Sequence, residues 1–256
     1  MALNIDIQSS GGVCVLRLDR SDRKNAITAA MYAALADGLA QAASEPAVRV
    51  AVIRGHETAF TAGNDLGDFL NNPPSGEDAP VFRFLRAIAG FPKPLIAAVC
   101  GPAVGVGTTL LLHCDLVYAG ENATLRLPFV DLGLCPEAAS SLLLPAIAGH
   151  QRAAEKLLLG EPFGAAEAKE LGIVNRVMPV AEVDDFAIAQ ARKLAAKPLS
   201  SLLATKSLMK DGLAAAVRER MVAEGALFGK MLREPAAREA FTAFMEKRAP
   251  DFSKTG

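Results

Sequence analysis

Two turns made of small residues could hold a substrate oxygen with main-chain N–H groups. The first, at residues 59–66, reads Ala-Phe-Thr-Ala-Gly-Asn-Asp-Leu, and the second, at residues 101–107, reads Gly-Pro-Ala-Val-Gly-Val-Gly. An apolar run leads toward each turn, and short side chains would leave the backbone amides exposed. Facing one another, the turns would form an oxyanion hole, which stabilises a developing negative charge. Glycine in apolar runs also marks close backbone packing without a ligand, so both interpretations stay open.

Glu137 is the candidate general base. It lies in the segment Leu-Cys-Pro-Glu-Ala-Ala at residues 134–139, where a helix is expected to begin. Apolar neighbours such as Leu132 and Leu142 favour desolvation, which would raise its pKa toward the range where a carboxylate takes and returns a proton. A helix N-terminus lowers the pKa instead, and an ordinary first-turn glutamate would suit the same position. The residues alone do not decide between these effects.

Other catalytic patterns are missing from the sequence. The segment 105–110 lacks the third glycine of a dinucleotide fingerprint, and no Gly-Lys-Ser/Thr follows it as in a phosphate loop. Gly-x-Ser-x-Gly does not occur, which argues against an α/β-hydrolase nucleophile. The three histidines, His56, His113 and His150, have no metal-ligand spacing, so we expect no metal site.

Three segments resemble the enoyl-CoA hydratase/isomerase (crotonase) superfamily, above all its Δ3,Δ2-enoyl-CoA isomerase branch. They are Ala-Gly-Asn-Asp-Leu at 62–66, Phe-Pro-Lys-Pro-Leu-Ile-Ala-Ala-Val at 91–99, and Leu-Gly-Leu-Cys-Pro-Glu-Ala-Ala-Ser-Ser at 132–141. The similarity extends from residues 20–26 to residues 243–248. It implies an α/β fold, a crotonase-like spiral of repeated ββα units with a C-terminal helical trimerisation region. It further implies a homotrimer or a dimer of trimers.

The resemblance assigns the catalytic groups and the contacts to coenzyme A, which would be part of the substrate rather than a cofactor. The base is Glu137, and the oxyanion donors are the amides of Ala62 and Val106. Val106 can serve where the family often has glycine only if its φ is negative. Residues matching the coenzyme A contacts are Lys24, Ala26, Ala62, Asn64, Asp65, Leu66, Phe244 and Lys247. From charge alone the two lysines equally fit an ordinary surface position, and Phe244 equally fits helix packing.

Two departures from the family pattern separate the possible reactions. The hydratase branch has two glutamates that hold the attacking water, and they align with Thr109 and Phe129 here. Neither residue can act as an acid or base on water, so ordinary hydration is disfavoured. A single carboxylate suits a 1,3-proton shift, in which Glu137 removes a proton from C2 of a 3-enoyl thioester and returns it at C4. A hydratase, another enolate-forming member and a silent acyl-CoA-binding protein remain as alternatives.

Composition narrows the partners and the compartment. The net charge of −1 gives no electrostatic reason to expect nucleic acid or an anionic membrane. The four cysteines lie mostly in apolar runs without a Cys-x-x-Cys pair, and no secretory signal is visible, so we expect a cytoplasmic protein. The uncharged segment 95–112 is long enough for a membrane span, but Gly-Pro at 101–102 favours a strand, a turn and a helix.

Periodicity predicts an alternation of strands and helices, followed by helices alone. A helix capped by Thr28 extends to about Ala43. We divide the whole chain into two parts. The first, at 1–197, is a spiral core for binding and catalysis, and the second, at 198–256, is a helical region for oligomerisation and contact with coenzyme A. The other predicted elements are strands at 13–18, 48–53, 95–99, 116–119 and 173–178 and a helix at 103–113.

Overall fold

The computed structural model describes residues 4–71, 76 and 78–255, and in these ranges strands alternate with helices before the chain becomes helical. The strands are β1 (Ile5–Ser10), β2 (Val13–Leu18), β3 (Val50–Arg54), β4 (Leu95–Val99), β5 (Pro102–Val104), β6 (Leu116–Gly120), β7 (Thr124–Arg126), β8 (Phe163–Gly164) and β9 (Arg176–Met178). The α-helices are α1 (Ala29–Ser44), α2 (Leu66–Asn71), α3 (Pro80–Ala89), α4 (Val106–Thr109), α5 (Ser140–Ala148), α6 (His150–Leu159), α7 (Ala165–Glu170), α8 (Val183–Ala195), α9 (Leu199–Met231) and α10 (Pro235–Met245). Short 3-10 turns lie at Ser21–Arg23, Leu110–His113, Val130–Leu132, Val180–Glu182 and Phe252–Lys254.

The main sheet has the strand order β1-β2-β3-β4-β6-β9. β1 pairs with β2 in an antiparallel hairpin, and every later pair in this sheet is parallel. A smaller sheet has the order β5-β7-β8. Parallel pairs need crossover connections, and here helices supply several of them. The predicted α/β class is therefore confirmed.

Both faces of the main sheet are buried because apolar residues in its central strands alternate between two cores. In β3, Ala51 and Ile53 belong to the larger core, together with residues of α1 and α3. Val50 and Val52 point to the other face, where they join Ala187 and other residues of α8. A strand buried on both faces needs an almost continuous apolar run, which Val-Ala-Val-Ile provides.

The two small-residue turns lie side by side. Thr61 forms an isolated parallel bridge with Ala103: its N–H donates to Pro102 at 2.9 Å, and its carbonyl accepts from Val104 at 3.0 Å. Gly63 has a φ of +87°, and a Cβ atom there would lie 2.8 Å from the Val104 carbonyl oxygen. Only glycine allows the two backbones to approach this closely. The turns therefore face one another, as the proposed oxyanion hole requires.

Several predicted elements are confirmed, and one is wrong in part. β2 and β4 have the predicted bounds, and the Thr28 side chain caps α1 by accepting from the Met31 N–H. The helix predicted over 103–113 is instead β5, then α4, then a 3-10 turn, because Ala103 pairs with Leu125 of β7. Among the helices in the described ranges, none is long and apolar enough to cross a membrane.

Candidate active site

Glu137 lies in a strained turn that leads into α5. The two residues after it, Ala138 and Ala139, both adopt left-handed backbone conformations, with φ of 58° and 56°. Such conformations cost non-glycine residues about 1–3 kcal/mol each and persist only where the surroundings impose them. Ser140 closes the turn, since its N–H and Oγ both donate to the Glu137 carbonyl at 3.0 and 2.6 Å. The turn fixes where the Glu137 side chain begins.

Side chains from two other elements hold the same turn. The Nε2–H of His113 donates to the Ala138 carbonyl at 2.7 Å. Burial lowers the pKa of His113 to about 4, so the imidazole is neutral and its other nitrogen carries no proton. On the opposite side, the Glu224 carboxylate of α9 accepts from the Ala139 N–H at 2.6 Å. The two alanines are therefore bound from both sides, which explains how the strain is maintained.

The Glu137 carboxyl is protonated more readily than an ordinary glutamate. Burial raises its pKa to about 7, and the nearby charge of Glu224 raises it further, while a hydrogen bond from the Thr109 hydroxyl opposes the shift. Burial is thus the largest effect on this group, and Glu137 lies before the N-cap of α5 rather than in its first turn. A carboxylate with a pKa near 7 is well suited to take a proton and give it back at neutral pH.

Glu137 opens onto a cleft of about 2100 Å³ between the two turns and the C-terminal helices. Most of the residues predicted to act in catalysis or binding line it. Lys24 and Lys247 are exposed and are not found among the lining residues in the described part of the chain, whereas Arg23 is. The predicted residues that do line the cleft are Ala26, Ala62, Asn64, Asp65, Leu66, Val106, Glu137 and Phe244.

The structure contradicts the assignment of Ala62 as an oxyanion donor. Its N–H donates to the Lys24 carbonyl at 2.9 Å and is therefore already engaged. Two residues later, Asn64 forms an isolated parallel bridge with Ile27. The Ile27 N–H donates to the Gly63 carbonyl, and the Ile27 carbonyl accepts from the Asp65 N–H. In this pattern the N–H of Asn64 itself faces away from Ile27. Within the described residues no acceptor is found for that N–H. Asn64 is thus the available donor of the first turn.

Val106 meets the condition set for the second donor. It is the first residue of α4 and has a helical, negative φ, while Gly105 before it takes the positive value of 56°. The amides of Thr108 and Thr109 donate to the Gly105 carbonyl. In the described ranges we find no acceptor for the Val106 N–H. The backbone geometry therefore leaves this amide free for a ligand.

Asp65 and Asn64 are committed to positioning the first turn. The Asp65 carboxylate pairs with Arg20 at 2.6 Å and accepts from the Asp68 N–H at 3.0 Å. Burial raises the pKa of Asp65, but the Asp68 and Gly67 amides and Arg20 together lower it by more. The net pKa is below the ordinary value, so the group is ionised. The Asn64 side-chain oxygen accepts a hydrogen bond from the buried Tyr32 hydroxyl. Contact of either residue with coenzyme A remains a prediction.

Sequence reasoning missed three residues around Glu137. Tyr32 lies in α1 near Glu137, whose charge adds to the burial that raises the tyrosine's pKa. His113 was expected to be an ordinary core histidine. It does lie in the core, but it also donates a hydrogen bond to the turn that carries Glu137. Glu224 lies in a long helix with exposed charges on both sides along the chain. No local pattern distinguishes such residues, because their partners are distant in sequence.

Comparisons with known proteins show which family the chain is similar to. A family model described as Enoyl-CoA hydratase/isomerase matches residues 8–255. The chain is 34% identical to 2,3-dehydroadipyl-CoA hydratase of Escherichia coli (strain K12) over 94% of both proteins. It is 36% identical to enoyl-CoA delta isomerase 2 of Rattus norvegicus, over 80% of this chain and 54% of that protein. The solved structure of Pseudomonas aeruginosa OdaA is 48% identical and superposes with a TM-score of 0.92, covering 94% of this chain and 98% of that one.

Proposed function

The chain belongs to the enoyl-CoA hydratase/isomerase family, and on that premise we propose that it converts 3-enoyl-CoA to 2-trans-enoyl-CoA. The family membership and the solved structures confirm the crotonase-like fold predicted from the sequence. The observation that carries the proposal is the partly buried Glu137, with a pKa of about 7, which lines the same cleft as the residues of the two free backbone amides. The proposed reaction would be a step in the oxidation of unsaturated fatty acids.

The proposed reaction moves one proton and one double bond. Glu137 takes a proton from C2, and the resulting dienolate carries its charge on the thioester oxygen; the double bond comes to lie between C2 and C3 only when C4 is protonated. That oxygen accepts from the amides of Asn64 and Val106, each typically worth about 3–4 kcal/mol in the transition state. The protonated Glu137 then gives the proton to C4. This chemistry uses side chains and backbone of the chain, with coenzyme A as part of the substrate.

Other acidic groups at the cleft are less suited to be the base. Asp65 is ion-paired with Arg20, and Asp131 is ion-paired with Arg126 at 2.9 Å. Two more, Glu161 and Asp211, are exposed to solvent. Glu137 thus combines a place in the cleft with partial desolvation.

Hydration is the second candidate function, because several relatives are named as hydratases. The two positions that would hold the attacking water do not support it. Thr109 donates its hydroxyl to Glu137, and Phe129 is a buried aromatic ring at the cleft. Neither side chain can accept a proton from water. We therefore favour isomerisation over water addition.

Product identification separates the two reactions. The wild-type protein is supplied with 3-hexenoyl-CoA, and the products are resolved by chromatography as 2-enoyl-CoA and 3-hydroxyacyl-CoA. We expect the conjugated 2-enoyl thioester to accumulate. In a parallel reaction that begins from 2-enoyl-CoA, we expect little 3-hydroxyacyl product. Rapid water addition would overturn the proposal, and binding without turnover of either substrate would indicate a silent acyl-CoA-binding protein.

The predicted homotrimer, or dimer of trimers, is part of the proposal. Its support is the large apolar side chains that the C-terminal helices leave exposed, among them Leu208, Met209, Val222, Phe244 and Met245. Where such side chains form a contiguous patch, they mark an association site. Sedimentation analysis would give the mass of the assembly directly. A cytoplasmic location also stays a proposal, based on the sequence.

A further inference from the structure

Glu224 is a buried carboxylate that, among the described residues, accepts its hydrogen bonds from Ala139 and Ser141, just after Glu137. Its side chain is 6% exposed. One carboxylate oxygen accepts from the Ala139 N–H at 2.6 Å, and the other accepts from the Ser141 N–H at 3.1 Å and from Ser141 Oγ at 2.5 Å. These contacts join the middle of α9 to the start of α5, far apart in the sequence.

We propose that Glu224 is a positioning residue for Glu137, acting through the backbone of Ala139 and Ser141 and through its own negative charge. The proposal rests on the proposed function, in which Glu137 is the base. It also gives the C-terminal helical region a part in catalysis. The division into a catalytic core and an oligomerisation region did not include such a part.

The backbone geometry explains why the turn needs this carboxylate. α5 has no side-chain cap of its own, since its N-cap residue is Ala139, which adopts a left-handed conformation. A carboxylate from another helix satisfies the N–H groups that a local cap would otherwise bind. Without it, Ala139 would lose the bond that holds its backbone in place. The Glu137 side chain would then begin from a less defined position.

The charges around Glu137 and Glu224 determine how the negative charge of Glu224 affects the pKa of Glu137. Three hydrogen-bond donors surround Glu224, Arg220 lies one turn before it on α9, and Cys135 faces it from the catalytic turn. Burial raises the pKa of Glu224 above its ordinary value, and these donors and Arg220 oppose that shift by favouring the ionised form. Among the described residues, Thr109, Tyr32, Cys135 and Glu224 interact with Glu137.

A negative Glu224 disfavours a second negative charge on Glu137 and so raises its pKa. Replacing Glu224 by a neutral residue removes that repulsion. The pKa of Glu137 must then fall, and the protein loses part of the basicity on which a proton transfer at neutral pH depends. A residue that only stabilised the fold would leave the pKa of Glu137 unchanged.

The test compares Glu224→Gln with Glu219→Gln, an exposed glutamate on the same helix and a matched control for the loss of charge. Infrared titration of the protonated carboxyl band, assigned by its loss in Glu137→Gln, gives the midpoint of Glu137 without substrate. Steady-state kinetics with 3-hexenoyl-CoA gives kcat and KM across pH. The infrared measurement stays valid if the wild type does not isomerise, so failure of the proposed function and failure of this inference are distinguishable.

In Glu224→Gln we expect the Glu137 midpoint to fall by roughly 0.5–1 pH unit, with kcat reduced about tenfold and KM nearly unchanged. Glu219→Gln should match the wild type. If Glu224→Gln does not fold, Ser141→Ala removes one donor to Glu224 and should give a smaller shift in the same direction. An unchanged midpoint would overturn the inference, whether kcat is unchanged or falls only in parallel with the melting temperature.

Discussion

At the scale of single residues, the chemistry depends on how a carboxylate is kept basic without being exposed. Burial raises the pKa of Glu137, whereas the Thr109 hydroxyl lowers it by donating to the ionised form. The result is a pKa of about 7, between that of an ordinary glutamate and that of a carboxyl group that never ionises near neutral pH. The same side chain can then be base in one step and acid in the next.

Thr109→Val tests this balance because it removes the hydroxyl and keeps the shape. The ionised form of Glu137 loses a hydrogen bond, so its pKa should rise by roughly 0.5–1 unit above its wild-type value. Since the free enzyme must hold Glu137 ionised, kcat/KM should fall below about pH 7 in the wild type and below a higher pH in the variant. Profiles of kcat/KM against pH for the wild type and for Thr109→Val measure the acid limb of each protein.

Thr124→Val is the control, because Thr124 is an exposed residue of β7. Its profile should superpose on that of the wild type. An acid limb in Thr109→Val that stays in place, or that moves to lower pH, would show that the hydroxyl does not stabilise the Glu137 carboxylate.

Residue roles were only partly predictable from the sequence. Glu137 stands in a long motif with apolar neighbours, and both features can be read locally. The first oxyanion donor was misassigned, because which amide is free depends on the Lys24 carbonyl, a tertiary contact. Glu224 was missed for a related reason. Its function is set by the N–H groups it meets across the fold.

At the scale of elements, the site depends on the close approach of two turns that belong to different strands. Thr61 pairs with Ala103, and Gly63 lies against the Val104 carbonyl. This contact fixes the distance between the two free amides of Asn64 and Val106. Short side chains are therefore a steric requirement here.

Gly63→Ala should damage both stability and activity. A Cβ atom would lie 2.8 Å from the Val104 carbonyl oxygen, in addition to the cost of a positive φ. We expect the free energy of unfolding to fall by about 2–4 kcal/mol and kcat by at least tenfold, since the Asn64 amide would move. Urea denaturation and kinetics with 3-hexenoyl-CoA measure the two effects.

Gly11→Ala separates the steric clash from the conformational cost. Gly11 also has a positive φ, of 57°, but a Cβ atom there meets nothing within 4 Å. This variant should lose only about 1 kcal/mol and keep its activity. Equal losses in the two variants would mean that contact between the turns has no special importance.

The strands were easier to predict than the connections between them. β2 and β4 are apolar runs ended by turn residues, so their bounds follow from the sequence. The uncharged stretch after β4 conceals β5, because Pro102–Val104 carries no polar residue to mark its start. Only pairing with β7 shows that it is a strand.

At the scale of the whole molecule, the carboxylate proposed as the base, Glu137, reduces stability at high pH. Its pKa is about 7 in the folded protein and about 4.5 when unfolded, so the folded state binds more protons between these values. Stability therefore decreases as pH rises through this window. The burial that would suit Glu137 to proton transfer thus lowers the free energy of unfolding.

Glu137→Gln should remove this pH dependence. Relative to the wild type, we expect the variant to gain about 2 kcal/mol more in free energy of unfolding at pH 8 than at pH 5. Urea denaturation at one protein concentration measures the difference, since assembly would otherwise change the apparent stability. If the free energies of unfolding of the variant and the wild type differed by the same amount at pH 5 and at pH 8, Glu137 would have an ordinary pKa.

The fold as a whole was predictable because long motifs identified the family, whereas composition and periodicity gave only an α/β mixture. The helical character of the C-terminal region could be inferred from spacing, but not where its helices end or where they pack. The contact between Glu224 and the catalytic turn illustrates this limit. It joins the helical region to the core, and no local signal at residue 224 indicates it.

The central claim is that Glu137 is the group that moves the proton. Its most direct test is the kcat/KM of Glu137→Gln for 3-hexenoyl-CoA, compared with Glu161→Gln, an exposed glutamate that lines the same cleft. We expect Glu137→Gln to lose about 10³–10⁴-fold while binding coenzyme A thioesters as the wild type does, and Glu161→Gln to lose less than about threefold. A Glu137→Gln variant that isomerises at the wild-type rate would contradict the claim.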